Sequence, residues 1–171
     1  FMPMIGSSIA ISVLVGQYLG KNQPEMATTS VYSGFHLTFG YMFVIALAYL
    51  FIPELFVLPF AAGADPSGFA EIYRLTVLLL RFVAIYSVFD TMNLVFASAI
   101  KGAGDTRYVM FAIIITSALV LVTPTYLGVM VMGWRVMVSW INVSAYVIVL
   151  SIVFLLRFLG GKWKSMRVIE T

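Results

Sequence analysis

Asp90 stands inside the apolar stretch YSVFDTMNLVF, with Tyr86 four residues before it and Asn93 three residues after. If the stretch is helical these side chains share one face, because positions three and four apart meet on a helix surface. A carboxylate, a phenol and an amide in one stripe offer hard oxygen donors and hydrogen-bond partners, the chemistry of a proton or Na⁺ site. Thr76 precedes Asp90 by 14 residues and Lys101 follows it by 11. At about 1.5 Å per residue the carboxylate lies roughly 16 to 21 Å from either end, close to mid-membrane if this is a span. An aspartate at a transmembrane helix centre costs about 2.5 to 3.5 kcal/mol to insert, so such residues face a bundle interior or a cavity and generally have a task. Arg81, nine residues earlier, falls on the opposite face about 13 Å along the axis and is a poor ion-pair partner. Asp90 must therefore be protonated, be paired with another helix, or hold a bound cation. The plainer alternative is a protonated side chain that joins helices by hydrogen bonds.

Few other residues compete. His36, the sole histidine, is expected to be a hydrogen-bonded interior group rather than a ligand. Glu54, beside Pro53, is expected at the outer interface in a solvated role. The chain has no cysteine, which removes disulfides and thiolate metal sites. No nucleophile with a histidine base, no His-Glu-x-x-His run and no metal-spaced cluster occurs, so neither an enzyme nor a bound cofactor is expected. KGAGDTR, residues 101–107, lacks the Gly-Lys-Ser/Thr ending of a phosphate loop. Its glycines permit a tight turn, and Asp105 or Thr106 can cap the helix that follows.

The elements that must position Asp90 follow from composition. Hydrophobic residues make up 62% of the 171 and charged residues only 10%, which departs from the balance of a soluble domain and predicts an all-α integral membrane protein in a lipid bilayer. Several apolar runs approach the roughly 20 residues that cross about 30 Å of hydrocarbon, and a helix satisfies its own backbone there. Five transmembrane helices are predicted, over about 2–20, 26–60, 72–100, 108–132 and 136–159, followed by a basic tail over 160–171. The second run is too long for one straight crossing, so Pro53 marks a kink or the end of its membrane part. Pro124 should kink the fourth, with Thr123 and Thr125 helping to satisfy the loosened backbone. Small residues in MIGSSIAIS allow close helix approach. The abundant aromatics and methionines read mainly as lipid-facing and packing residues, with a minority able to line a cavity for apolar cations. The chain opens on Phe1 within an apolar run that lacks a charged leader, and it reads as an internal piece of a longer protein.

Basic residues orient the spans. Lys21, Lys101, Arg107, Arg157, Lys162, Lys164 and Arg167 fall on one side, whereas Arg74 and Arg135 fall on the other, with Arg81 about two turns inside it. The positive-inside rule then predicts a multi-pass protein of the cell membrane whose KGAGDTR hinge and C-terminal tail are cytoplasmic. These residues account for the net charge of +3, so no nucleic-acid partner is implied.

Three separated motifs occur in a familiar order: VGQYLG at 15–20 followed by QPEMA, then FDTMNLVFASAIKGAGDTR, then GGKWKSMR. With them the chain resembles the multidrug and toxic compound extrusion (MATE) transporters along essentially its whole length. That resemblance implies twelve helices in two six-helix lobes around a central cavity, and export of organic cations or drugs in exchange for Na⁺ or H⁺. The basic tail makes residues 1–159 look like a partial C-terminal lobe, with the first helix of that lobe and the whole N-terminal lobe outside the chain. The family's cation site in this lobe pairs an aspartate with a neighbouring tyrosine, which match Asp90 and Tyr86. Its glutamate partner on the lobe's first helix has no counterpart here. Two rivals stand beside this expectation: a lipid-linked precursor flippase, whose cavity would carry more basic residues than Arg81 alone, and a non-transporting membrane scaffold.

Overall fold

A computed structural model describes residues 1–61, 66–131, 133 and 136–166. Among them there are helices and no strands. α1 (Met2–Gly20), α2 (Pro24–Phe51) and the short α3 (Glu54–Ala61) are followed by α4 (Pro66–Gly102). α5 (Thr106–Thr116) continues through a π-helical segment (Ser117–Val122), α6 (Thr123–Tyr126) and a second π-helical segment (Leu127–Val131). α7 (Val136–Leu159) and a 3₁₀ turn (Lys162–Ser165) follow. Five of these helical stretches are long and apolar enough to cross a membrane. Large apolar side chains such as Leu37, Phe51, Leu119 and Met130 stand on the exterior, the reverse of a water-soluble fold. The chain is an all-α integral membrane protein. Residues 62–65 of the loop expected on the outer side, and Arg135 and Arg167 of the orientation pattern, lie outside the described residues.

Local chemistry sets the breaks. α1 stops where Asn22 adopts a left-handed φ of 58°; Asn22 N–H bonds Leu19 O and Gln23 N–H bonds Tyr18 O, at 3.0 and 2.8 Å. α4 stops the same way at Gly104, φ 92°, with Gly104 N–H to Lys101 O at 3.0 Å and Asp105 N–H to Ile100 O at 3.1 Å. Both are paired bonds that satisfy the last carbonyls of a helix around one left-handed residue, which glycine and asparagine tolerate best. α2 ends at Phe51 because Pro53 has no N–H to continue it and disfavours helix in the residue before it. The stretch 26–60 is therefore two helices, and Tyr49 and Phe56 meet edge-on across the break at 4.6 Å.

α4 is the central helix, packed against α7, α2 and α1, while α1 and α2 also pack together. Its 37 residues make it about 55 Å long, longer than the hydrocarbon layer. The core is concentrated at the hinge end of the bundle. It joins Ile11, Val15 and Leu19 of α1, Ala27 and Val31 of α2, Val95, Phe96, Ala99 and Ile100 of α4, Val109 of α5, and Leu150, Phe154 and Phe158 of α7. There α1 and α4 cross so closely that a methyl group on Gly102 would overlap the Ser12 carbonyl, and one on Gly16 would lie 3.2 Å from Gly102 O. Small residues draw helices together in this way where lipid offers no hydrophobic drive.

Candidate functional site

Tyr86 and Asp90 project from the middle of α4 into a cavity of about 680 Å³. Asn93 donates its amide N–H to Asp90 Oδ1 at 3.1 Å, so the three expected residues do share a stripe. Only the first two line the cavity, and Asn93 acts as a donor to the carboxylate. Among the described residues no cation comes within 4 Å of Asp90; the ion pairs found are Arg157–Asp105 and Lys164–Glu25. The hydroxyls of Ser87 and Thr91, on either side of Asp90, return to their own helix at Ala84 O and Ser87 O. Asp90 is thus half-buried with one amide partner and an open face.

The cavity opposite Asp90 is walled by Met4 of α1, Tyr41, Met42 and Tyr49 of α2, and Phe56 of α3. Phenol and phenyl faces with soft thioethers and one carboxylate suit a bulky apolar cation. Some of the chain's aromatics and methionines thus line a cavity. The phenols of Tyr86 and of Tyr146, which α7 contributes, lie close enough to Asp90 for its charge to act on them. Tyr49 lines the same cavity as Tyr86. Helical spacing around Asp90 cannot reach Tyr146 or Tyr49, which sit on other helices. A signal for Tyr146 was nonetheless present: it lies four residues after Asn142 and so shares its helix face, a second polar stripe.

Other expected residues fall elsewhere. Asp105 occupies the cap position of α5 but makes no side-chain cap bond; its Oδ2 instead accepts from Arg157 Nε at 2.9 Å and Nη2 at 2.5 Å. The competing partner wins because a guanidinium fork binds a carboxylate more strongly than a neutral backbone N–H does. The same guanidinium lies 4.4 Å from the centre of the Tyr108 ring. His36 is hydrogen-bonded, its Nδ1 2.6 Å from Tyr32 O, yet it stands on an exposed face rather than in the interior. One turn of its own helix supplies the partner, so no burial is needed. Thr125 does not serve the backbone loosened by Pro124; its Oγ1 accepts from Asn142 Nδ2 of α7 at 3.1 Å. π-helical segments flank the short α6 that carries Pro124 on both sides, so the helix is irregular where the proline was expected to disturb it. Glu54 is exposed and accepts from the Tyr73 hydroxyl at 3.1 Å, linking α3 to α4. Trp163, in the stretch expected to be a polar tail, is fully buried, stacked on Phe158 at 5.0 Å and bonded through Nε1 to Phe158 O.

A polytopic helical membrane protein with a carboxylate on the wall of an aromatic-lined cavity is the class that fold and site define. The MatE family model matches residues 1–127 of the 171, and the chain belongs to that family. It is 25% identical over 169 residues to the probable multidrug resistance protein NorM of Thermotoga maritima, a match that covers 99% of this chain and 35% of that protein. Proteins of the same name match from Mesorhizobium japonicum, 30% identical over 64% of the chain, and Pseudomonas putida, 32% identical over 63%. Each of these two matches covers 23% of the relative. The chain thus spans about a third of the length of the Thermotoga maritima relative.

Proposed function

We propose that this chain is part of a secondary transporter, not an enzyme, that exports organic cations or drugs in exchange for Na⁺ or H⁺, with its hinge and tail on the cytoplasmic side. The observation that carries this reading is Asp90 on the wall of the aromatic- and methionine-rich cavity, with no basic partner among the described residues. Membership of the MatE family and the multidrug resistance names of the relatives support it. Among the described residues no three His, Asp or Glu side chains converge. Within this chain a cation at Asp90 finds one carboxylate and neutral oxygens such as the Tyr86 phenol, hard donors that suit a proton or Na⁺.

In this reading the carboxylate is shared by two ligands. A Na⁺ or proton that neutralises Asp90 removes its attraction for a cationic substrate, so loading one ligand weakens the other. Asn93 holds one carboxylate oxygen in place, and alternating access rocks the cavity between the two sides of the membrane. The flippase alternative needs basic residues in this cavity, and Arg81 lines a different groove. The scaffold alternative leaves a 680 Å³ cavity beside a carboxylate without a use. The test is export of a fluorescent organic cation by the full-length protein in proteoliposomes, with and without a Na⁺ or pH gradient. Gradient-dependent export lost in Asp90→Asn is expected, and undiminished export by that variant would sink the assignment.

A further inference from the structure

Arg74 and Arg81 are seven residues apart on α4, so they share a face about 10.5 Å apart along the axis. Both are exposed. With Tyr73, Leu75, Val77 and Leu78 they line, among the described residues, a groove of about 610 Å³. It shares no lining residue with the Asp90 cavity. Among the described residues neither guanidinium has a carboxylate within 4 Å, and Glu54, at the same end of the bundle, is bonded to Tyr73.

Depth makes this pair informative. The span that the sequence predicts here, over about 72–100, is about 43 Å long, against a hydrocarbon layer of about 30 Å. With that span centred on Tyr86, Arg74 lies about 18 Å from the midplane, at the level of lipid headgroups, and Arg81 about 7.5 Å from it, inside the hydrocarbon. A guanidinium at that depth must be neutralised, and a long arginine stem can lie along apolar surface with its head toward the interface, the side on which Arg74 stands. The anion abundant at that level is lipid phosphate, whose oxygens match the guanidinium fork. Leu75 and Leu78, both exposed, supply the apolar surface an acyl chain needs.

We infer that this face of α4 is a binding site for an anionic phospholipid, its headgroup phosphate held between Arg74 and Arg81 and its chains laid along Leu75 and Leu78. The inference does not depend on transport. It is tested by native mass spectrometry of the full-length protein released from micelles holding equal amounts of phosphatidylglycerol and phosphatidylcholine. The unmodified protein is expected to retain phosphatidylglycerol preferentially. Arg74→Gln and Arg81→Gln should each reduce retention about tenfold, the effect of losing one charge-assisted bidentate contact. Lys101→Gln, at the far end of the same helix, should leave retention unchanged. Replacing an arginine at hydrocarbon depth makes the span more apolar, so insertion is not endangered, and the preference of the unmodified protein is readable without any variant. Three results would overturn the inference: no preference for phosphatidylglycerol, full retention by both arginine variants, or displacement of the lipid by inorganic phosphate, which would mark a free-anion site.

Discussion

Asp105 and Asp90 lie fifteen residues apart, one just beyond the end of α4 and one near its middle, and the fold treats them in opposite ways. Asp105 is locked by two hydrogen bonds from Arg157, itself backed by the Tyr108 ring, in the end of the bundle where the core is concentrated. Asp90 has one amide neighbour and faces a cavity. Around Asp105 the chain closes on itself: Trp163 fills the core, and Gly102 lets α1 touch α4 backbone to backbone. Around Asp90 phenols and thioethers stand apart. A charge whose partners are all supplied by the protein fixes shape, whereas a charge whose partners are left open can bind something that comes and goes. The difference lies in satisfaction, not in residue type.

Substitutions can break or sharpen this contrast. Trp163→Ala should have the largest effect on stability, about 3 to 5 kcal/mol, because it removes a fully buried indole from the packed end; thermal unfolding in detergent would register it. Asp105→Ala should follow at about 3 kcal/mol, since it strands the Arg157 guanidinium beside the core. Combining it with Arg157→Met should recover part of that loss, and strict additivity in the double variant would show that the pair is not coupled. Gly102→Ala should cost about 1 to 3 kcal/mol by pushing α4 off the Ser12 backbone. Asn142→Ala removes only the bond to Thr125 and should cost about 0.6 kcal/mol, a typical value for one interhelical hydrogen bond in a membrane.

What the sequence made legible is what lies within one helix or one turn. The apolar runs reveal the spans, the Gly-Lys-Asn and Gly-Ala-Gly-Asp stretches reveal two helix stops, and the three-residue spacing of Asp90 and Asn93 reveals their contact. The contacts that set the site's surroundings were not legible there. Arg157 meets Asp105 across 52 residues, and Tyr146 approaches Asp90 from α7. Which way a helix turns about its own axis decides such meetings, and a span that is apolar nearly all round carries little pattern to fix that rotation. Trp163 was hidden for a related reason: two lysines flank it, so its neighbourhood reads as polar although the ring itself is buried. His36 departs in the other direction, since a hydrogen bond to its own helix lets it remain on an exposed face.

Asp90→Asn separates the two regions most sharply, because the amide keeps the shape of the carboxylate and can still accept from Asn93 while losing the charge. The decisive measurement is gradient-driven export of a fluorescent organic cation by the full-length Asp90→Asn variant, read beside its thermal unfolding midpoint. The account predicts an unchanged midpoint with coupled export abolished. Export that still responds to a Na⁺ or pH gradient in this variant, with the fold intact, would contradict it.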